Sequence, residues 1–288
     1  YMMNKKDAQS RLVAGLPIML ILAACADMGT EPESAADAAA ISEEVAELAP
    51  GFLQGYLATE EQLDSVKFVL PSPAPDSAMQ AMDTNWSEQM LAFRDSPRWE
   101  LAVRDADLSF PAAADAFSCA LGIAISEQDT PNLYMLLRRT LTDIGLSPYA
   151  AKNAYLRERP FMVNDEPVCT PEDEELLRKD PSYPSGHTAI GWGWALILTE
   201  LAPERTEEIL ARGRSFGESR NVCNVHWYHD VLAGRLTGAG AVARLHANPQ
   251  FKAAMATAGE DIARARESGL VPTIDCDAEA AALAMPLQ

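Results

Sequence analysis

The chain has 288 residues, 48% of them hydrophobic and 23% charged, and a net charge of −19. That is apolar material for one substantial globular core. It also excludes nucleic acid as the natural partner, because a polyanion demands a cationic surface; a small anion can bind only where a few cations converge.

Residues 1–24 read as a leader. Lys5, Lys6 and Arg11 precede the apolar run LVAGLPIMLILAA, which is too short to span a bilayer comfortably and suits a signal-peptide core. The run closes on Leu22-Ala23-Ala24-Cys25, which resembles a bacterial lipoprotein box and predicts lipidation at Cys25; cleavage near Ala24 is the other reading. Because the sequence opens with Tyr1, Met2 and Met3 are candidate starts. The expectation is an exported, periplasmic protein with a lipid anchor in the cell envelope. Residues 25–45, rich in Ala, Glu, Asp and Ser, have the composition of a solvated acidic tether. Residues 46–275 form the expected domain and 276–288 a C-terminal tail.

Apart from Cys25, four cysteines remain: Cys119, Cys169, Cys223 and Cys276. An even number in an exported chain implies two disulfides with three connectivities open. Cys169 and Cys223 both lie near the motifs described below, which favours that pair and leaves Cys119 with Cys276.

Along the domain, the proline-punctuated stretch LPSPAPDSAMQAMD at 70–83 predicts an extended segment and then a helix capped by Ser77. Thr130-Pro131 opens a helix in which Leu133, Leu137, Leu141 and Ile144 recur at helical spacing, with Gly145 as its stop. Ser147-Pro148 repeats the start signal. Helices are expected at about 148–158, 187–202, 204–218 and 226–246. With no alternating strand pattern, no repeat and no second long apolar run, the fold class is all-α, a single helical domain without an internal membrane span.

Three clusters carry chemistry. Lys152 and Arg159, before Pro160, are seven residues apart, which predicts two cations on one helix face. In Pro184-Ser185-Gly186-His187, Ser185 can cap the helix that follows. The backbone N–H groups of Gly186 and His187 then face an anion at its positive end. In Ser219-Arg220-(five residues)-His226-(three residues)-Asp230, the i,i+4 spacing lets the carboxylate fix the imidazole tautomer. The other ring nitrogen is then free as a nucleophile.

Taken together, the eleven positions Lys152, Arg159-Pro160, Pro184-Ser185-Gly186-His187, Ser219-Arg220, His226 and Asp230 resemble the three-part signature of the phosphatidic-acid-phosphatase type 2 superfamily, which also contains the vanadium haloperoxidases. Within it the chain looks like the bacterial class A non-specific acid phosphatases, over about residues 65–265 and through stretches such as PFMVNDEPVCT, SYPSGHTAIGW and GESRNVCNVHW. The resemblance implies that Lys152, Arg159, Arg220, the Ser185 hydroxyl and the Gly186 N–H bind phosphate. It further implies that His226 becomes a phosphohistidine, Asp230 orients it, and His187 is the general acid and then base. Substrates would be small phosphomonoesters, with phosphate or vanadate as inhibitors and a phosphotransferase activity toward alcohols as a variant.

Physical chemistry supports the same roles. Phosphoryl transfer is mostly positioning and electrostatics, which three cations and a helix N-terminus can supply. A mildly acidic optimum is expected. No cluster has metal-ligand spacing, so no metal or other cofactor is expected. Homo-oligomerisation is compatible with the sequence.

His229 departs from the usual polar residue before the aspartate and is expected to take no direct part; His246 reads as structural. Tyr183, Trp192 and Trp194 read as core, while Trp227 and Tyr228 are candidates for lining the substrate mouth. Two other readings stand beside the phosphatase: a vanadium-dependent haloperoxidase, and a non-catalytic phosphate-binding envelope lipoprotein. The intact His226–Asp230 spacing favours the enzyme, because a binder could dispense with either residue.

Overall fold

The computed structural model describes residues 45–287. The leader, Cys25 and all but the last residue of the tether lie outside the described residues. A two-stranded antiparallel hairpin comes first, β1 (Glu47–Ala49) and β2 (Phe52–Leu53). The helices then follow in order: α1 (Ala78–Met90), α2 (Pro97–Arg104), α3 (Ala112–Asp115), α4 (Ser118–Leu121), α5 (Pro131–Leu146), α6 (Tyr149–Tyr155), α7 (Phe161–Asn164) and α8 (Glu174–Leu177). The second half contains α9 (Gly186–Leu201), α10 (Thr206–Val222), α11 (Tyr228–Leu245), α12 (Pro249–Glu267) and α13 (Cys276–Leu283). The all-α reading holds, with the small hairpin as an addition too short to show as an alternating pattern. Among the described residues no helix is long and apolar enough to cross a membrane.

The centre of the domain is α9. Its sequence, GHTAIGWGWALILTEL, is apolar on nearly every face, so it must be covered all round. Helices α5, α10 and α11 pack against it, and α12 closes over α5. Leu133, Leu137, Leu141 and Ile144 of α5 join Ile190, Trp194 and Leu198 of α9 in one buried cluster. The Trp194 indole donates to Thr140 Oγ1 at 3.2 Å, which satisfies the one polar atom of a fully buried side chain.

Backbone contact between helices needs small residues. A Cβ added at Gly234 of α11 would sit 2.5 Å from the Ser185 carbonyl oxygen at the start of α9, and Gly238 one turn later lies against the backbone of Ala189. Only hydrogen side chains permit that approach. The Ser185 N–H donates to the Asp230 carbonyl at 3.0 Å, so the N-terminal ends of α9 and α11 are tied together.

Several local expectations are met. Ser77 caps α1 by accepting from the Gln80 N–H, and Ser185 caps α9 through the Thr188 N–H. The disulfides are Cys169–Cys223 and Cys119–Cys276, the favoured pairing. The first joins the segment after α7 to the end of α10; the second ties α13 to α4, so residues 276–283 are a tethered helix. Helix α5 runs one residue past Gly145, to Leu146.

One expectation fails. Lys152 and Arg159 do not share a helix face: α6 ends at Tyr155, and Leu156 turns left-handed with φ +48°. Arg159 therefore arrives on an irregular segment, and Pro160 opens α7 rather than closing α6. The two cations still converge, but through a chain reversal.

Candidate active site

The three motifs meet at the N-terminal end of α9. Lys152, Arg159, Gly186, His187 and His226 line one pocket of about 480 Å³. A wider depression of about 670 Å³, bounded by Val103–Phe110 and Thr170–Asp173, contains none of the motif residues.

Three cations surround this point, all buried. Burial and the neighbouring Arg159 charge lower the Lys152 pKa to about 8. The same two causes lower Arg220 to about 10. Arg220 is 1% exposed, yet its Nε and Nη1 have no hydrogen-bond partner among the described residues. A buried guanidinium with orphaned donors is costly unless an acceptor fills the space before it. The Gly186 N–H adds a further donor, since the first residue of a helix has no intrahelical acceptor and the macrodipole there is positive. Ser185 Oγ accepts from the Thr188 N–H and hydroxyl, which leaves its own proton to donate.

The tautomer of His226 follows from its neighbours. Arg159 Nη1 lies 3.0 Å from Nε2; a guanidinium only donates, so Nε2 carries a lone pair. The proton sits on Nδ1, 3.3 Å from Asp230 Oδ2. Burial, then the Arg159 charge, hold the His226 pKa well below its ordinary value, against the raising effect of Asp230. The ring is thus a neutral base aimed at the cations.

Asp230 is completely buried and heavily engaged. Its carboxylate accepts from Arg157 Nη1 at 2.6 Å, from the Trp227 N–H at 2.8 Å, and from the Ser182 hydroxyl. Burial alone would raise its pKa, but the His226 hydrogen bond and the Arg157 charge outweigh it and lower the value to about 2. Arg157 is itself held by Asp83 Oδ2 at 2.6 Å, and His229 places its Nδ1 2.8 Å from the other oxygen of Asp83.

His187, in the first turn of α9, has Nε2 3.0 Å from the Ala106 carbonyl. Nε2 must donate there, which leaves Nδ1 as the free nitrogen. Burial, then Arg220, push its pKa well below the ordinary value.

Some expectations are corrected. Trp227 and Tyr228 do not line the mouth. The Trp227 indole donates to the Glu158 carbonyl and stacks on Arg157, while Tyr228 packs on Trp86 away from the pocket. Ser219 serves packing: it donates to Asp105 Oδ2 and accepts from Arg98, tying α10 to α2. His229, expected to take no direct part, contacts Asp83 and not the pocket, and His246, read as structural, pairs with Glu200.

Two residues escape a motif reading. Asp180 Oδ2 lies 2.8 Å from Lys152 Nζ and 2.7 Å from Arg159 Nη2, so one carboxylate bridges both cations. Its only sequence signal is an acid shortly before the Pro184-Ser185-Gly186-His187 turn. Arg157 lies in the gap between Lys152 and Arg159, and its signal is a third cation in a short run.

The fold thus brings cations, two histidines and a helix N-terminus to one point of a helical domain. Residues 132–253 match the PAP2 superfamily. The chain is 40% identical over 213 residues to a non-specific acid phosphatase of Providencia stuartii, covering 74% of this chain and 86% of that one. An acid phosphatase of Zymomonas mobilis is 40% identical over 213 residues, with 73% and 79% covered. A non-specific acid phosphatase of Salmonella typhimurium is 41% identical over 211 residues, with 73% and 84% covered. The chain belongs to the bacterial non-specific acid phosphatases of the PAP2 superfamily. It is an acid phosphatase.

Proposed function

We propose that hydrolysis proceeds through a phosphohistidine on His226. The observation that carries this reading is the buried, unpartnered Arg220 guanidinium, whose charge acts on His187, together with a neutral His226 Nε2 that faces Arg159. Phosphate oxygens take up Arg220, Arg159, Lys152, the Ser185 hydroxyl and the Gly186 N–H. His226 Nε2 attacks phosphorus in line, forming the N–P bond as the P–O bond to the leaving alcohol breaks. His187 gives the departing oxygen a proton from Nδ1. A water then returns a proton to His187 and attacks phosphorus, and the N–P bond breaks to release orthophosphate.

Electrostatics links these steps. His187 is kept neutral by burial and by Arg220; an arriving phosphate dianion offsets that cation and lets the ring take up the proton it must deliver. Asp230, fixed by Arg157, Ser182 and the Trp227 N–H, holds Nδ1–H and stabilises the charge that develops on His226. The negative charge on the transferred group's oxygens is met by the three cations, so each step balances without another reagent. An alcohol replacing water in the second step would give the phosphotransferase variant. The lipoprotein-like leader, acidic tether and disulfides support a periplasmic, lipid-anchored protein.

The test is to trap the intermediate. Enzyme mixed with p-nitrophenyl phosphate at acidic pH and quenched in alkali should carry a phosphoryl group on the His226 peptide, and His226→Ala should carry none. Turnover with no phosphoryl on His226, or phosphoryl on another residue, would overturn the mechanism.

A further inference from the structure

Beyond the phosphate donors, the pocket has a second chemistry. Leu108, Leu141 and Ile190 form its inner wall and Leu146, Tyr149 and Leu176 its rim. The rim is open to solvent: Leu146 is 44% exposed, Tyr149 43% and Leu176 70%. Exposed leucines are common singly, but these surround one opening that leads to a cationic floor.

The polar side chains of the wall are occupied. The Thr142 hydroxyl donates to the Leu53 carbonyl at 2.7 Å, and Asp180 bridges Lys152 and Arg159. Those two ion pairs use Asp180 Oδ2 alone, so the other Asp180 oxygen and the Tyr149 hydroxyl are the wall's remaining side-chain groups for a ligand's hydroxyls. A sugar or polyol entering this space would give up water and find few partners. An alkyl chain or aromatic ring would lose nothing and cover the leucines.

We infer that the apolar wall is the leaving-group site, and that it selects monoesters of apolar alcohols and phenols over sugar and polyol phosphates. The inference rests on the phosphatase reading, because the occupant is placed by the phosphate held at its far end. Continuity of the wall with His187 and His226 in one cavity of about 480 Å³ gives it that occupant, and the volume falls in the range of small-ligand sites.

The experiment measures kcat/KM for methyl, n-butyl and n-hexyl phosphate below their micellar concentrations, beside glucose 6-phosphate. The unbranched alkyl series holds leaving-group basicity nearly constant, so chain length isolates contact with the wall. Each added methylene should raise kcat/KM by about two- to fourfold until the wall is covered, and glucose 6-phosphate should fall below butyl phosphate. The matching alkylphosphonates, which have no ester oxygen to cleave, should show the same trend as inhibitors. Leu146→Asn and Leu176→Asn should flatten both slopes; because these side chains are exposed, neither threatens the core. A flat series in both assays, or glucose 6-phosphate equal to hexyl phosphate, would overturn the inference. Absence of turnover with every ester of the series and with p-nitrophenyl phosphate would instead overturn the phosphatase reading, and the phosphonate slopes would still judge the wall.

Discussion

In the proposed mechanism, Asp180 occupies donors that the substrate would use. Its Oδ2 touches both Lys152 Nζ and Arg159 Nη2, so a phosphate arriving there must share those cations with a carboxylate. Two unit negative charges about 4 Å apart repel by about 4 kcal/mol at an effective dielectric near 20. The Asp180 side chain is 29% exposed, so screening and rotation toward solvent reduce the realised penalty to about 1–3 kcal/mol. Asp180→Asn should therefore tighten orthophosphate inhibition and lower KM by about 5- to 150-fold at pH 5. The gain should shrink with rising pH, because Asp180 also helps keep Lys152 charged. With the carboxylate present, burial and Arg159 already lower Lys152 to about 8, and without it the value falls further. At pH 5 Lys152 stays protonated in both proteins; near pH 8 the variant loses that cation first. The assay is Ki for orthophosphate and KM for p-nitrophenyl phosphate at both pH values. Weaker or unchanged inhibition at pH 5 would refute the reasoning and make Asp180 a scaffold for the cations rather than their competitor.

Stability should depend on the buried histidines. His187 and His226 are both held neutral, well below the ordinary value of 6.5, so their contribution is complete above about pH 6.5. It is lost as pH falls through the window below, where the unfolded chain binds protons that the native state refuses. Urea midpoints should therefore drop from pH 7 to pH 5, less so with saturating orthophosphate; a midpoint that rises over this range would contradict the assignment. Arg157→Met leaves Asp83 and Asp230 buried without their cation, which should cost about 3–5 kcal/mol of stability. It should also lower kcat more than it raises KM, with partial recovery in Arg157→Lys; kinetics equal to wild type would sink the positioning role. The Cys119–Cys276 link closes 157 residues, so Cys119→Ala/Cys276→Ala should lose up to about 5 kcal/mol in the chain-entropy account, read as a lower urea midpoint. Peptide mapping without reductant should recover this pair and Cys169–Cys223.

Much of the site was legible because phosphoryl chemistry constrains residue type and spacing together. Ser185-Gly186-His187 reads as a capped helix start from local rules, and His226 with Asp230 reads as a pair because four residues make one turn. What escaped depends on distant chain. The Asp230 carboxylate is pinned by Arg157, which is held by Asp83 from 74 residues earlier, and no local pattern announces that pairing. Spacing placed Lys152 and Arg159 on one helix face, but Leu156 adopts a left-handed turn with no glycine to signal it. Leu141 recurs at helical spacing in the sequence and is buried, as is Ile190; that they also line a cavity depends on what the opposite elements leave empty. Trp227 was misplaced for the converse reason: its indole found a carbonyl and a guanidinium inside the protein.

The contact at Gly234 and Gly238 sets a clearance. Because the Ser185 end of α9 rests on α11 with only hydrogen atoms between, the offset from His187 on one helix to His226, just ahead of the other, is determined by the thinnest layer a polypeptide can interpose. A single methyl group there would pry the helices apart, and misplacement by about 1 Å can cost a reaction on the order of a hundredfold in rate. His187 and His226 thus owe their offset to two positions that line neither imidazole. In this enzyme the spacing of the two pocket histidines is stored in its smallest residues.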